Sequence, residues 1–148
     1  YEMPVIYSTH PRSKKFIEQR DFTFHPLVQS MQPFGFIDYN KLQKNAFCVL
    51  SDSGTLSEES AILGFPGILI RTSTERPEVL DKGTIIIGGI KAPDIGQAID
   101  LARAMQEDRK YTGLPPDYMD TNVSAKVVKI IQSYTKIVND FVWKKRDY

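Results

Sequence analysis

The sequence is poor in the residues that staple small folds or hold metals: it has one cysteine and two histidines in 148 positions. A lone Cys48 excludes an internal disulfide, and no Cys/His spacing suits zinc, so neither a metal nor another cofactor is expected. Neither sign of charge dominates. Lys plus Arg total 19 against 18 for Asp plus Glu, and without a basic run or stripe no nucleic-acid partner is expected. Long apolar runs are missing too. The longest, such as "GILI" and "TIII", are strand-sized, far below the roughly 18 residues of a membrane helix, so no membrane partner is expected. With no signal-peptide pattern, the sequon Asn122-Val123-Ser124 reads as chance and the expected compartment is the cytoplasm. Glycine-rich dinucleotide and Walker fingerprints are absent, as are internal repeats and low-complexity tracts.

What is there is an alternation of strand-like and helix-like segments. At 41% hydrophobic and 25% charged residues, the chain has ordinary globular composition and the length of one domain. Val5, Ile6 and Tyr7 make "PVIYS" (4–8) a strand, and "SKKFIEQR" (13–20) a short helix. "DYNKLQKNA" (38–46) reads as a helix N-capped by Asp38. "FCVLS" (47–51) reads as a buried parallel strand with Cys48 inside it. A helix over 55–63, strand 67–70, a short helix from Thr74, strand 84–87 and a helix over 94–108 follow. "YTGLPPDYMD" reads as a loop. Val123, Val127, Ile130, Ile131, Tyr134, Ile137, Val138 and Phe141 recur every three or four residues, a helix with one apolar face. The alternation implies an α/β domain with a mostly parallel sheet.

Two polar islands interrupt this pattern, each after an apolar strand and before a helix. In "SDSGTLSEES" (51–60), Gly54 lets backbone approach a ligand closely. The first N–H groups of the following helix suit an anion, and Glu59 could accept from sugar hydroxyls. The same residues also read as an ordinary turn with a Thr55-x-x-Glu58 capping box. "RTSTERPE" (71–78) adds Arg71 and Arg76, whose forks match phosphate; the alternative for each is a salt bridge to Asp or Glu. In an open parallel sheet, ligands gather at the carboxyl ends of the strands, where both islands fall.

Together "SDSGTLSEES…GFPGILIRTSTERPEVLDKGT" resembles the non-hydrolysing UDP-N-acetylglucosamine 2-epimerase family, whose hallmarks are DSGG-x-x-EE and TERPE segments. The resemblance runs from about residue 4 onward. The tail "NVSAKVVKIIQSYTKIVNDFVW" is more similar to a subgroup that makes UDP-N-acetyl-L-fucosamine for bacterial surface polysaccharides.

The resemblance implies a GT-B-like fold of two Rossmann-like domains with a UDP-sugar in the cleft. Residues 1–148 would be the second, nucleotide-sugar-binding domain, closed by a helix over 122–145 and partnered by the first domain of the same protein. The parent would be a homodimer. It implies that Ser53, Gly54 and Thr55 meet the diphosphate, Glu59 the ribose and Arg76 the phosphate region. Tyr39 falls where the family has an aromatic near the uracil, and Phe34 lies in the same loop; core packing is the alternative for both. His10, in "STHPR", matches a His-Pro segment that approaches ligand phosphates in the family, against the reading of a plain loop histidine. Thr55 replaces the family's second glycine, Ser57 a frequent glutamine, and Phe34 stands where some members carry a polar residue.

The family's catalytic acids lie in its first domain, and a further histidine just before the point where this chain starts. Tyr1 is not an initiator methionine, and the chain reads as a piece of something longer, able to bind but not to move the proton. The implied reaction removes the proton from the acetamido-bearing carbon, expels UDP, and re-adds it with inverted configuration. A stand-alone nucleotide-sugar module and the donor domain of a glycosyltransferase are the competing readings.

Overall fold

The computed structural model describes residues 1–108 and 113–145; Tyr111 and Thr112 of the expected loop lie outside them. The chain forms two compact units, Tyr1–Val49 and Leu50–Tyr148, described here separately.

In unit 1, strand β1 (Val5–Ser8) pairs in parallel with β2 (Val28–Met31), in a register that runs from Val5 opposite Val28 to Ser8 opposite Met31. Helix α1 (Pro11–Gln19) supplies the crossover that parallel strands require. Nothing in the sequence announced β2: "VQSM" has two polar residues at its centre, and only the pairing with β1 makes it a strand. The ladder is extended by Thr9 N donating to Met31 O at 2.9 Å, and the Thr9 and Ser30 hydroxyls meet at 2.7 Å. Helix α2 spans Phe36–Asn45 with Gly35 as its N-cap, not Asp38. Asp38 sits in the first turn, where a carboxylate favours the positive end of the helix dipole.

Unit 2 holds a three-stranded sheet in the order β3-β4-β5. The strands are β3 (Val49–Ser51), β4 (Gly67–Leu69) and β5 (Ile85–Ile87). Helices α3 (Leu56–Leu63) and α4 (Pro77–Asp81) connect them, and α5 (Ala92–Glu107) follows. β4 and β5 are parallel, Gly67 opposite Ile85 through Leu69 opposite Ile87. As the central strand β4 is buried throughout, whereas edge strand β3 leaves Leu50 41% exposed. Cys48 precedes β3 and is only half-buried, so the expected buried strand residue is a flank of a shorter strand. The core gathers Leu56, Phe65, Ile68, Leu69, Val79 and Ile85, with Ala98 and Ala102 of α5 against them. The α/β class with parallel sheets and flanking helices is the one the alternation implies.

Helix α6 (Val123–Ile137) continues through a wider turn over Val138–Val142, closed by Trp143 N donating to Val138 O at 3.0 Å. The resemblance leads one to expect the later part, around Ile137, Phe141 and Trp143, to be less buried than Val127 and Ile131 or to pack against a neighbouring chain. Phe141 and Trp143 are indeed the more open, at 79% and 66%, whereas Ile137 falls between Val127 and Ile131, and no residue of α6 is buried.

Candidate functional site

The candidate site lies at the carboxyl ends of the unit 2 strands. Ile70 N donates to Ser51 O at 2.9 Å and Gly88 N to Leu69 O at 2.9 Å, so the loops leaving β3, β4 and β5 emerge side by side. The first is a tight turn. Ser53 N donates to Ser51 Oγ (3.0 Å), and Leu56 N and Ser57 N donate to Ser53 O (3.3 Å) and Gly54 O (3.1 Å). The exposed Ser53 and Thr55 hydroxyls meet at 2.9 Å above the start of α3. Thr55 is the N-cap but makes no side-chain capping bond. The capping box read from Thr55 and Glu58 does not form, because Glu58 has another partner.

That partner is Arg76, from the second loop. Arg76 Nε donates to Glu58 Oε1. Arg76 N is held by Thr74 Oγ1 at 3.2 Å, and the residue caps α4, which begins at Pro77 and not near Thr74. The bond to Glu58 raises the Arg76 pKa above its usual value. The guanidinium lies against Gly54: a Cβ there would stand 2.6 Å from Nη1, 3.2 Å from Cζ and 3.5 Å from Nη2.

Arg71 has the opposite fate. Its Nη1 and Nη2 both donate to Glu75, at 3.2 and 2.6 Å, a bidentate pair that closes the fork and holds the Glu75 carboxyl below its usual range. Both arginines therefore make the salt bridges weighed as their alternative. They differ in geometry: Arg76 commits Nε to Glu58 and keeps its Nη1–Nη2 edge toward the turn, with Nη1 3.5 Å from Glu75 Oε2. A planar edge of two donors is the shape that takes two oxygens of a phosphate.

Glu58 and Tyr118 escaped the sequence reading. Tyr118, in the short turn Pro116–Tyr118, donates to Glu78 Oε1 at 2.7 Å. Burial first, then that bond, raises its pKa, and the same bond lowers that of Glu78. A contact over forty residues has no local signature, whereas Glu58 was visible but assigned to capping. Glu59 lies one residue on in α3, half-buried, with its N donating to Thr55 O at 3.0 Å.

In unit 1, His10 is the N-cap of α1, its Nδ1 accepting from Arg12 N at 3.2 Å. Phe34 lies between β2 and α2, and Tyr39 in the first turns of α2; both are half-buried. The structure thus brings Ser53, Gly54, Thr55 and Arg76 together in unit 2, and sets His10, Phe34 and Tyr39 in unit 1. The more enclosed cleft of unit 2 is elsewhere, at the amino ends of β4 and β5. It is lined by residues such as Phe65, Pro66, Thr84 and Gln106, and among the described residues none of its lining side chains is ionisable.

Parallel sheets with flanking helices, and polar, donor-bearing loops at the carboxyl ends of their strands, define an α/β protein. A family model described as UDP-N-acetylglucosamine 2-epimerase matches residues 1–132, and the chain belongs to that family. Among curated relatives, the UDP-N-acetylglucosamine 2-epimerase of Methanocaldococcus jannaschii is 34% identical over 106 residues, 68% of this chain and 29% of that protein. The one from Methanococcus maripaludis is 30% identical over 135 residues, 88% of this chain and 36% of the relative. A solved 2-epimerase from Rickettsia bellii superposes with a TM-score of 0.80 at 42% identity, over 98% of this chain and 40% of its own. The M. jannaschii enzyme solved with UDP-GlcNAc and UDP gives a TM-score of 0.75 at 27% identity, over 88% and 36%. The chain therefore spans well under half the length of these relatives.

Proposed function

We propose that this chain is the UDP-holding domain of a non-hydrolysing UDP-N-acetylhexosamine 2-epimerase. The observation that carries the reading is the match, over 88% of the chain, to a relative solved with UDP-GlcNAc and UDP. In unit 2, Ser53, Gly54 and Thr55 take the diphosphate with Arg76, and Glu59 takes the ribose. Across elimination and re-addition of UDP, this domain retains the leaving group, and its cationic and amide donors stabilise the charge that builds on the diphosphate. The catalytic acids and histidine come from the first domain of the same protein, in a homodimeric, cytoplasmic isomerase. The exposed apolar stripe of α6 supports a partner surface of that kind. The tail supports the UDP-N-acetyl-L-fucosamine-forming subgroup, in surface polysaccharide synthesis.

Calorimetry of the purified chain should show UDP binding, tighter than uridine, with no turnover of UDP-N-acetylglucosamine. Turnover above a mock preparation would overturn the division of labour, and equal affinity for UDP and uridine would overturn the phosphate site.

A further inference from the structure

Gly54 and Glu58 look at first like a phosphate-loop glycine and a capping acid. The structure gives both a different task. Gly54 has no positive φ that would demand glycine, yet an added Cβ would collide with the Arg76 guanidinium and no other group comes as near. Glu58 leaves the cap of α3 and takes Arg76 Nε. Its second oxygen, Oε2, is buried without a hydrogen bond, an arrangement that is costly unless the guanidinium offsets the charge.

We propose that Glu58 is a positioning residue and Gly54 a seat: together they set the Nη1–Nη2 edge of Arg76 for a diphosphate. This rests on the reading of Arg76 as a phosphate contact. Arg71 shows what an arginine on the same loop does without such a holder, since its fork folds back onto Glu75. Glu58 engages Arg76 at Nε, which orients the plane without occupying either terminal nitrogen, Nη1 being 3.5 Å from Glu75 Oε2. Because the atom that a Cβ on Gly54 would strike is the tip of a flexible side chain, alanine there should displace the guanidinium while leaving the fold intact.

The test is calorimetry with UDP and with uridine on the full chain, with thermal melts to verify folding. Arg76→Ala should weaken UDP about tenfold or more and leave uridine within about twofold. Glu58→Ala should reproduce most of that loss, and Glu58→Gln, whose amide oxygen still accepts from Nε, should recover to within about threefold of wild type. Gly54→Ala should weaken UDP with little change in melting temperature, but add nothing in the Arg76→Ala background. If Arg76→Ala leaves UDP binding unchanged, the phosphate contact falls and the positioning role with it. If Arg76→Ala weakens UDP while Glu58→Ala does not, or Gly54→Ala costs as much with Arg76 removed, only the positioning role is overturned. Should Glu58→Ala not fold, Glu58→Gln and the Gly54 pair decide the matter alone.

Discussion

Unit 2 closes a sheet under helices and buries Leu56, Ile68, Leu69, Val79 and Ile85, while the only buried side chains of unit 1, among the described residues, are Thr9 and Gln43. Both units use parallel strands joined by helices, so the difference is not one of pattern. A third strand gives β4 two neighbours and two covered faces, and its side chains leave water entirely. With two strands, β1 keeps Val5 and Ile6 about half exposed, at 48% and 47%. Unit 1 is held by its backbone ladder, the Thr9–Ser30 bond and ring contacts such as Tyr7 with Phe24; unit 2 adds a buried aliphatic core. Hydrogen bonds contribute less net stability than burial of large apolar side chains, and a site that must hold charged groups in fixed positions sits better on the packed unit.

The largest expected effect tests that contrast directly. Ile68→Ala should destabilise the chain by about 2–5 kcal/mol in urea unfolding, as for a fully buried aliphatic residue. Ile6→Ala should cost less than half as much, because so much of its surface is already wet. Equal costs would break the comparison. Amide exchange sharpens it: Ile68 and Leu69 should be protected well beyond Ile6 and Tyr7.

Two serines of α3 offer a finer contrast within unit 2. Ser60 Oγ is within bonding distance of Phe65 O (2.7 Å) and Thr84 O (3.0 Å), tying α3 to the ends of β4 and β5. Ser60→Ala should therefore cost about 1–3 kcal/mol. Ser57 is fully buried and its hydroxyl finds no partner among the described residues, so Ser57→Ala should be neutral or stabilising in the same melts.

The smallest effect is a pH dependence. The Tyr118 bond lowers the Glu78 pKa, so the stability it supplies is present above the usual carboxylate range and lost as pH falls through the lowered value. Tyr118 itself has a raised pKa, and the stability linked to its proton is present below the usual tyrosine range and declines as pH rises above it. Tyr118→Phe should lower the melting temperature at neutral pH, with a smaller drop near pH 3. A drop of the same size at both would remove the bond to Glu78 as its cause.

The local alternation of apolar runs and helical periods was enough to read the α/β class, the two polar islands and the helix at the end. Those depend on side-chain period and turn chemistry, which are properties of neighbouring residues. Element ends shifted where a cap competed: Gly35 displaced Asp38, and Pro77, pre-set for a first helical turn, displaced Thr74 as the start of α4. Strand β2 stayed hidden because "VQSM" becomes a strand only through β1.

By itself the sequence determined the class of fold, the family, and the presence of arginines and hydroxyls after consecutive strands. Tertiary structure alone decided which arginine pairs with Glu58, which with Glu75, and that a side chain at position 54 would meet the Arg76 guanidinium. The outcomes at Arg76 depend on residues 18 to 22 apart in sequence, Glu58 and Gly54 with Arg76. Their meeting is set by strands packing in register, for which no local pattern exists.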